Sequence, residues 1–344
     1  MLHPSIYHGK FFVALSLLLA LCLPACKKDK AEINNSITGS WVTLQSQYGN
    51  SQYYLFTADG KLYKMNTSLA GYPEVQYFIY SFSNDQITVQ GGDQYNPITN
   101  LYNVRFSGDT AFFNDGNADQ ITLLKDNGAP KQVSDFVIPL STTDKFTDTA
   151  KATGITYKDG KLYTFKYYSG PSVSRFIEYN TATRAVSASV VSDYAYSGLD
   201  FTADGILWCV LYQHAYVFNI PTATNSFQSA TLTGNSLWAT AAGNGVLYNY
   251  ATAAYITYDI AADDFGQERE VDNDVTDLAY ADGYLYVAKA GMLYKKHTYY
   301  SGVLESYYLD NYEIRGVAHA TGNDFWLAAR NNTTGVNEMV KVTL

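Results

Sequence analysis

Residues 157–163 read Tyr-Lys-Asp-Gly-Lys-Leu-Tyr, and the fold is decided by how often this pattern returns. An Asp-Gly pair between alternating apolar positions is the strongest short-range hairpin signal, because both turn residues must take a positive φ. Asp159-Gly160 stands before Leu162-Tyr163, Asp204-Gly205 before Leu207-Trp208, and Asn244-Gly245 before Leu247-Tyr248. Asp282-Gly283 stands before Leu285-Tyr286, and Gly322-Asn323 before Phe325-Trp326. From Gly160 through Gly205, Gly245 and Gly283 to Asn323 the steps are 45, 40, 38 and 40 residues. A second marker follows 13 to 19 residues after three of the turns: Tyr179-Asn180, Phe218-Asn219 and Tyr258-Asp259, each leading into a further turn. Each unit therefore reads strand, turn, strand, loop, strand, turn, strand.

Four strands in roughly 40 residues make one blade of a β-propeller. A parallel β-helix needs far shorter repeats, and a helical solenoid needs a 3.6-residue period that is absent. Residues 131–344 thus resemble the propeller family in general, without the Trp-Asp signature of the WD-repeat branch or the glycine pair of the kelch branch. Five turns predict five blades, or six if the preceding β unit donates one. The last unit ends at residues 337–344 (NEMVKVTL), one strand short. Phe136 to Leu140 (FVIPL) has no other partner and is expected to supply that strand and close the ring. Closure would protect edge strands from pairing with other molecules.

Residues 36–130 read as successive hairpins. Gly39-Ser40-Trp41 opens a strand, a hairpin turns at Asp59-Gly60, and three further strand or hairpin segments follow. The Gly-x-Trp opening and this order resemble the lipocalin-like domains of bacterial lipoproteins, which implies a small closed β-barrel able to hold an apolar ligand. The competing expectation is an interior filled by Phe56, Tyr63, Phe78, Phe112 and similar side chains. The predicted fold class is all-β, a lipocalin-like barrel followed by a propeller.

Upstream, Phe11 to Leu23 is apolar apart from Ser16. Thirteen helical residues span about 20 Å, short of the roughly 30 Å of a bilayer core. This is a signal-peptide pattern rather than a membrane anchor. The stretch Leu23-Pro24-Ala25-Cys26 resembles the lipobox of bacterial lipoproteins. That resemblance implies a signal peptide over 1–25, acyl chains such as palmitate on Cys26, a polar tether over 26–35, and attachment to the cell envelope. Several acyl chains on one residue hold a protein stably to a membrane. No Asp follows Cys26, which by the same resemblance fits the outer membrane. Cys22 leaves with the signal peptide, so Cys209, in the run ILWCVL, has no disulfide partner and reads as a small buried hydrophobe.

The chain has 344 residues, 47% of them apolar and 16% charged, with 32 Tyr and a formal charge of −9. Low charge excludes a disordered chain or a coiled coil. The acidic balance and the lack of a basic stretch exclude nucleic acid as a partner. No nucleophile-elbow or zinc-helix motif occurs, the histidines lie in separate repeats, and nothing points to a cofactor or a metal. The cluster Asp272-Asn273-Asp274 with Asp277 lacks the glycine and terminal Glu of a calcium loop and reads as an acidic inter-blade loop.

Loops on rigid scaffolds carry ligands. In the propeller the longer and more varied loops lie on the face opposite the Asp-Gly turns, among them residues 169–172 and 331–334. The expected ligand-binding residues on that face are Tyr194, Tyr196, Tyr212, His214, Trp238, Tyr250, Asp274, Tyr312 and Arg315. Aromatic rings beside amides and hydroxyls suit a glycan, a peptide or an envelope protein. The resulting expectation is a lipid-anchored binding or scaffold protein, the membrane being met through Cys26. Two alternatives stand beside it. One is a propeller-type glycoside hydrolase with Asp200 and Asp277 as its carboxylates. The other is a purely structural docking module of an envelope complex.

Overall fold

The computed structural model describes residues 37–43, 52–67, 73–91, 98–114, 116, 120–126, 132–152, 154–168, 173–252, 254–272, 274–298 and 302–344. The expected signal peptide, Cys26 and the expected tether lie outside the described residues. Eight strands come first: β1 (Gly39–Thr43), β2 (Gln52–Phe56), β3 (Lys61–Thr67), β4 (Pro73–Ser83), β5 (Gln86–Gly91), β6 (Ile98–Ser107), β7 (Thr110–Asn114) and β8 (Gln120–Lys125). Each pairs antiparallel with the next, and β8 pairs with β1 to close a barrel. Alternate residues point inward, as strand geometry requires. Trp41, Phe56, Phe82, Ile87, Phe113 and Leu123 fill the interior, and the Trp41 indole N–H donates to the Ile37 carbonyl at 2.8 Å. Phe56 and Phe78 belong to this cluster as expected. Tyr63 does not, because Leu62 beside it takes the inward position. Phe112 sits on the outer wall beneath Arg105.

After one short 3₁₀ turn (Val133–Asp135) come β9 (Ile138–Leu140) and β10 (Thr142–Thr147). Blade 1 follows as β11 (Thr156–Lys158), β12 (Lys161–Tyr168), β13 (Val173–Asn180) and β14 (Ala185–Ser192). Blade 2 is β15 (Gly198–Phe201), β16 (Leu207–Leu211), β17 (His214–Asn219) and β18 (Thr224–Gln228). Blade 3 is β19 (Leu237–Gly243), β20 (Val246–Ala251), β21 (Ala254–Asp259) and β22 (Asp264–Phe265), with β23 (Arg269–Val271) also on β21. Blade 4 is β24 (Val275–Ala281), β25 (Tyr284–Lys289), β26 (Met292–His297) and β27 (Val303–Leu309). Blade 5 is β28 (Tyr312–Thr321), β29 (Asp324–Asn331) and β30 (Asn337–Thr343), completed by β10. The first strands touch in cyclic order, β11 to β15 to β19 to β24 to β28 and back to β11, so the five blades form a ring.

The repeat markers have local causes. Asp159, Asn244 and Asp282 take φ of 48, 52 and 51°, and the glycines after them 78, 79 and 86°, which only Gly and short Asx side chains hold cheaply. The second marker is an Asx turn. The side-chain oxygen of Asn180 accepts the N–H of Ala182 and Thr183 at 2.9 and 3.0 Å, and Asp259 does the same for Ala261 and Ala262 at 2.9 Å each.

Ring closure departs from expectation in one respect. FVIPL forms β9, which adds parallel to β27 as a fifth strand of blade 4. The closing strand is β10, antiparallel to β30 from Thr142↔Val342 to Thr147↔Glu338. β10 is polar except for Phe146, which packs on Tyr179 and Trp326 with ring centroids 5.6 Å away in each case. An outermost strand faces water on its far side, so its sequence carries little apolar pattern.

The barrel docks on blade 4. Leu55, Tyr63, Met65 and Val75 share one apolar cluster with Phe136, Val137, Met292, Tyr294 and Tyr308. The Tyr308 ring lies 5.7 Å from Tyr63 and 4.8 Å from Tyr77, and the Tyr294 hydroxyl donates to the Val75 carbonyl. The alternating outward face of β3 and β4 is therefore apolar where it meets the propeller.

Candidate functional site

The innermost strand of each blade has one edge with no strand partner. Its N–H groups need acceptors. Two carboxylates supply them. Asp200 on β15 accepts the Thr156 hydroxyl at 2.6 Å and the Phe201 N–H at 2.8 Å on Oδ1, and the Ala242 N–H at 2.8 Å on Oδ2. It thereby ties blades 1 and 3 to blade 2. Asp277 on β24 accepts the N–H of Ile155 at 3.0 Å and of Val317 at 2.9 Å on Oδ2, tying blades 1 and 5 to blade 4. Burial pushes the Asp200 carboxyl up to about 6, opposed by these donors and by His319. Burial also pushes Asp277 well above the usual carboxylate range, with Asp200 adding to the effect and the N–H donors opposing it. Gly198 permits this crowding: a Cβ there would come within 2.7 Å of the Ala239 Cα and the Thr240 N.

On the Asp-Gly face the axis widens into a cavity of about 430 Å³, within the usual range for small-ligand pockets. Counting three residues back from each turn glycine gives Tyr157, Thr202, Ala242, Tyr280 and His319, and all five line it. One repeat position, once per blade, forms the mouth. Lys158 and Phe201 line it too, with the Lys158 ammonium 5.0 Å over the Phe201 ring and donating to the Gly205 carbonyl at 3.3 Å. Tyr280 stacks flat on Tyr248 at 5.4 Å and accepts a hydrogen bond from Asn244. Gly243 makes room for it, since a Cβ there would reach 2.3 Å from the Tyr280 ring. Rings, hydroxyls, one ammonium and one imidazole thus surround a floor that includes Asp200. This combination can hold a polar ligand.

The two carboxylates of the alternative hydrolase reading do not both face the cavity. Asp277 has no exposed surface and does not line the cavity; its Oδ2 accepts backbone N–H groups of two other blades, while its Oδ1 is buried without a hydrogen-bond partner among the described residues. Asp200 alone reaches the floor, and both its oxygens already accept hydrogen bonds.

On the opposite face the expected residues divide. Tyr212, Trp238 and Tyr194 are 68, 52 and 51% exposed. The Tyr212 backbone bridges to Leu237, the first residue of β19. Tyr196, Tyr250, Tyr312 and Arg315 are buried and lie in blade seams rather than on the open face. Tyr196 donates to Asp193, Tyr250 to the Asp272 carbonyl, and Tyr312 to Glu338 at 2.6 Å. Arg315 forks onto Glu313 at 2.9 and 3.0 Å. His214 is half-buried against Ser229 and Gln228. Asp274 is half-buried at φ 60°. Asp272 is held by Lys289, Lys296 and Tyr255. Burial opposes its charge, yet the two ammonium groups keep its carboxyl below the usual range. Residues 169–172 and Asn273 lie outside the described residues. Among the described residues no three potential metal ligands converge.

The mouth residues were within reach of the sequence, because alignment of the repeats on their turn glycines puts Tyr, Thr, Ala, Tyr and His in one column. A position that shapes no turn and keeps one side on the axis can vary with a ligand.

No family model matches the chain, and no curated protein matches it. Among solved structures it is similar to glutaminyl cyclase from Myxococcus xanthus, at TM-score 0.48 and 8% identity over 60% of this chain and 97% of that one. It is also similar to the Pan2 WD40 domain of Neurospora crassa, at TM-score 0.31 and 8% identity over 89% of each chain. A third is BamB from Moraxella catarrhalis, at TM-score 0.32 and 13% identity over 88% of this chain and 82% of that one. No residue and no activity transfers at such distances. What stands is an all-β chain, an eight-stranded closed barrel joined to a five-bladed propeller.

Proposed function

We propose that the chain is a lipid-anchored binding protein of the cell envelope, held through acyl chains on Cys26 to the outer membrane. Its ligand is a small polar group, such as the end of a glycan or of a peptide, seated in the axial mouth. The supporting observation is the convergence of Tyr157, Thr202, Ala242, Tyr280 and His319 on one cavity. A soluble form from Lys27 onward, tested on glycan and peptide arrays, should bind through this mouth. Tyr157→Ala with Tyr280→Ala should weaken that binding at least tenfold, and unchanged affinity would overturn the reading. Anchoring has its own test: Cys26→Ser should release the protein from the membrane fraction and abolish labelling by an alkynyl palmitate.

The exposed rings of Tyr212 and Trp238 favour a second reading, in which a partner docks on the opposite face. Trp238→Ala would then weaken binding while the mouth variants leave it unchanged.

A further inference from the structure

The outer wall of the barrel carries a row of side chains unusual for an exposed sheet. Ser83 pairs with Gln86, Gln86 with Asn103, and Asn103 with Asn114, so four polar residues stand in line across β4, β5, β6 and β7. All four are exposed. Asparagine is a poor strand former, and exposed strand positions ordinarily favour Thr and other β-branched residues. Here two asparagines face each other, with the Gln86 amide donating to the Asn103 oxygen at 3.0 Å. Directly beside the row Arg105 opposes Phe112, its guanidinium 4.4 Å from the ring centroid. Arg105 makes no ion pair among the described residues. A cavity of about 280 Å³ opens here, lined by Asn84, Asp85, Gln86, Asn103, Arg105 and Phe112 among others.

We infer that this wall is a second binding site, distinct from the axial mouth, for a neutral polysaccharide strand lying across β4 to β7. The chemistry is complementary in three ways. A primary amide offers a donor and an acceptor side by side, which matches the hydroxyl pairs of a sugar ring. Adjacent strands are about 4.8 Å apart, close to the length of one pyranose unit, so successive amides meet successive sugars. The cavity holds one Arg and one Asp, so its fixed charges balance and favour an uncharged chain over a uronate or a polyamine.

The test uses the soluble form from Lys27 onward and four neutral hexasaccharides: cellohexaose, xylohexaose, mannohexaose and laminarihexaose. At least one should bind, and its disaccharide should bind at least tenfold more weakly, because the row spans four strands. Asn103→Ala and Arg105→Ala should each reduce hexasaccharide affinity at least tenfold with the melting temperature unchanged, since both side chains are exposed. Tyr157→Ala with Tyr280→Ala should leave that affinity intact, so the failure of one site is distinguishable from the failure of the other. Absence of binding to all four, equal affinity in the Asn103 and Arg105 variants, or binding confined to acidic oligosaccharides would overturn the inference.

Discussion

Asp277 gathers two N–H groups, one from blade 1 and one from blade 5, around a carboxyl with no access to water. Asp277→Ala would leave both donors unsatisfied. Each buried orphan donor costs about 1–3 kcal/mol, so urea unfolding should shift to a lower midpoint by the equivalent of about 2 kcal/mol or more, with the slope unchanged. Asp200 sets a pH dependence. Its folded pKa of about 6 lies above the unfolded value, so the native state holds an extra proton between about pH 4 and 6. Stability should therefore fall as pH rises through that window and level off above it. Asp200→Asn should flatten this part of the profile, with Asp277 acting in the same direction. Asp272 works oppositely. Its carboxyl is held below the usual range, so its contribution is present above about pH 4 and is lost only as pH falls further. Tyr312, expected from sequence on the open face, joins β28 to β30 and β10 through Glu338 and Lys145. Its substitution should therefore lower stability, whereas Trp238→Ala should not.

Elements show what a sequence can disclose. The Asp-Gly turns and the Asx turns were legible because each depends on one or two residues whose local chemistry fixes the backbone. The core strands were legible through alternation. The closing strand was not. β9 reads as the better strand, being apolar, yet it lies as a parallel addition on blade 4. β10 reads as a polar linker, because only Phe146 turns inward. Which of two neighbouring segments reaches β30 is a matter of tertiary geometry that no local pattern encodes. The site was half legible. Asp200 stood out as an inner-strand carboxylate, but the side of the propeller that opens into a cavity depends on how five inner strands splay. Phe146→Ala should loosen the closure, at about 3–5 kcal/mol for a buried Phe. Denaturant unfolding should report that loss, and limited proteolysis should cut near residues 142–147 first.

Across the whole molecule, barrel and propeller share an apolar cluster and the Tyr308 contacts. Lys61 adds one ion pair across the contact, to Asp310 at 2.5 Å, beside one within the barrel to Asp59 at 3.0 Å, but the aspartates are well exposed, so salt should matter little. The two units should melt together in calorimetry. Tyr308→Ala should split that transition in two by uncoupling them, and a single retained transition would show the contact to be dispensable.

The pairing of β10 with β30 also imposes an order on biogenesis. β10 leaves the ribosome nearly 200 residues before its partner is made. Through all of that synthesis the edge of a half-built ring remains open, so the nascent chain needs shielding until β30 emerges. A premature stop between residues 310 and 336 would then leave four complete blades and no clasp, a species fit for degradation rather than for partial function.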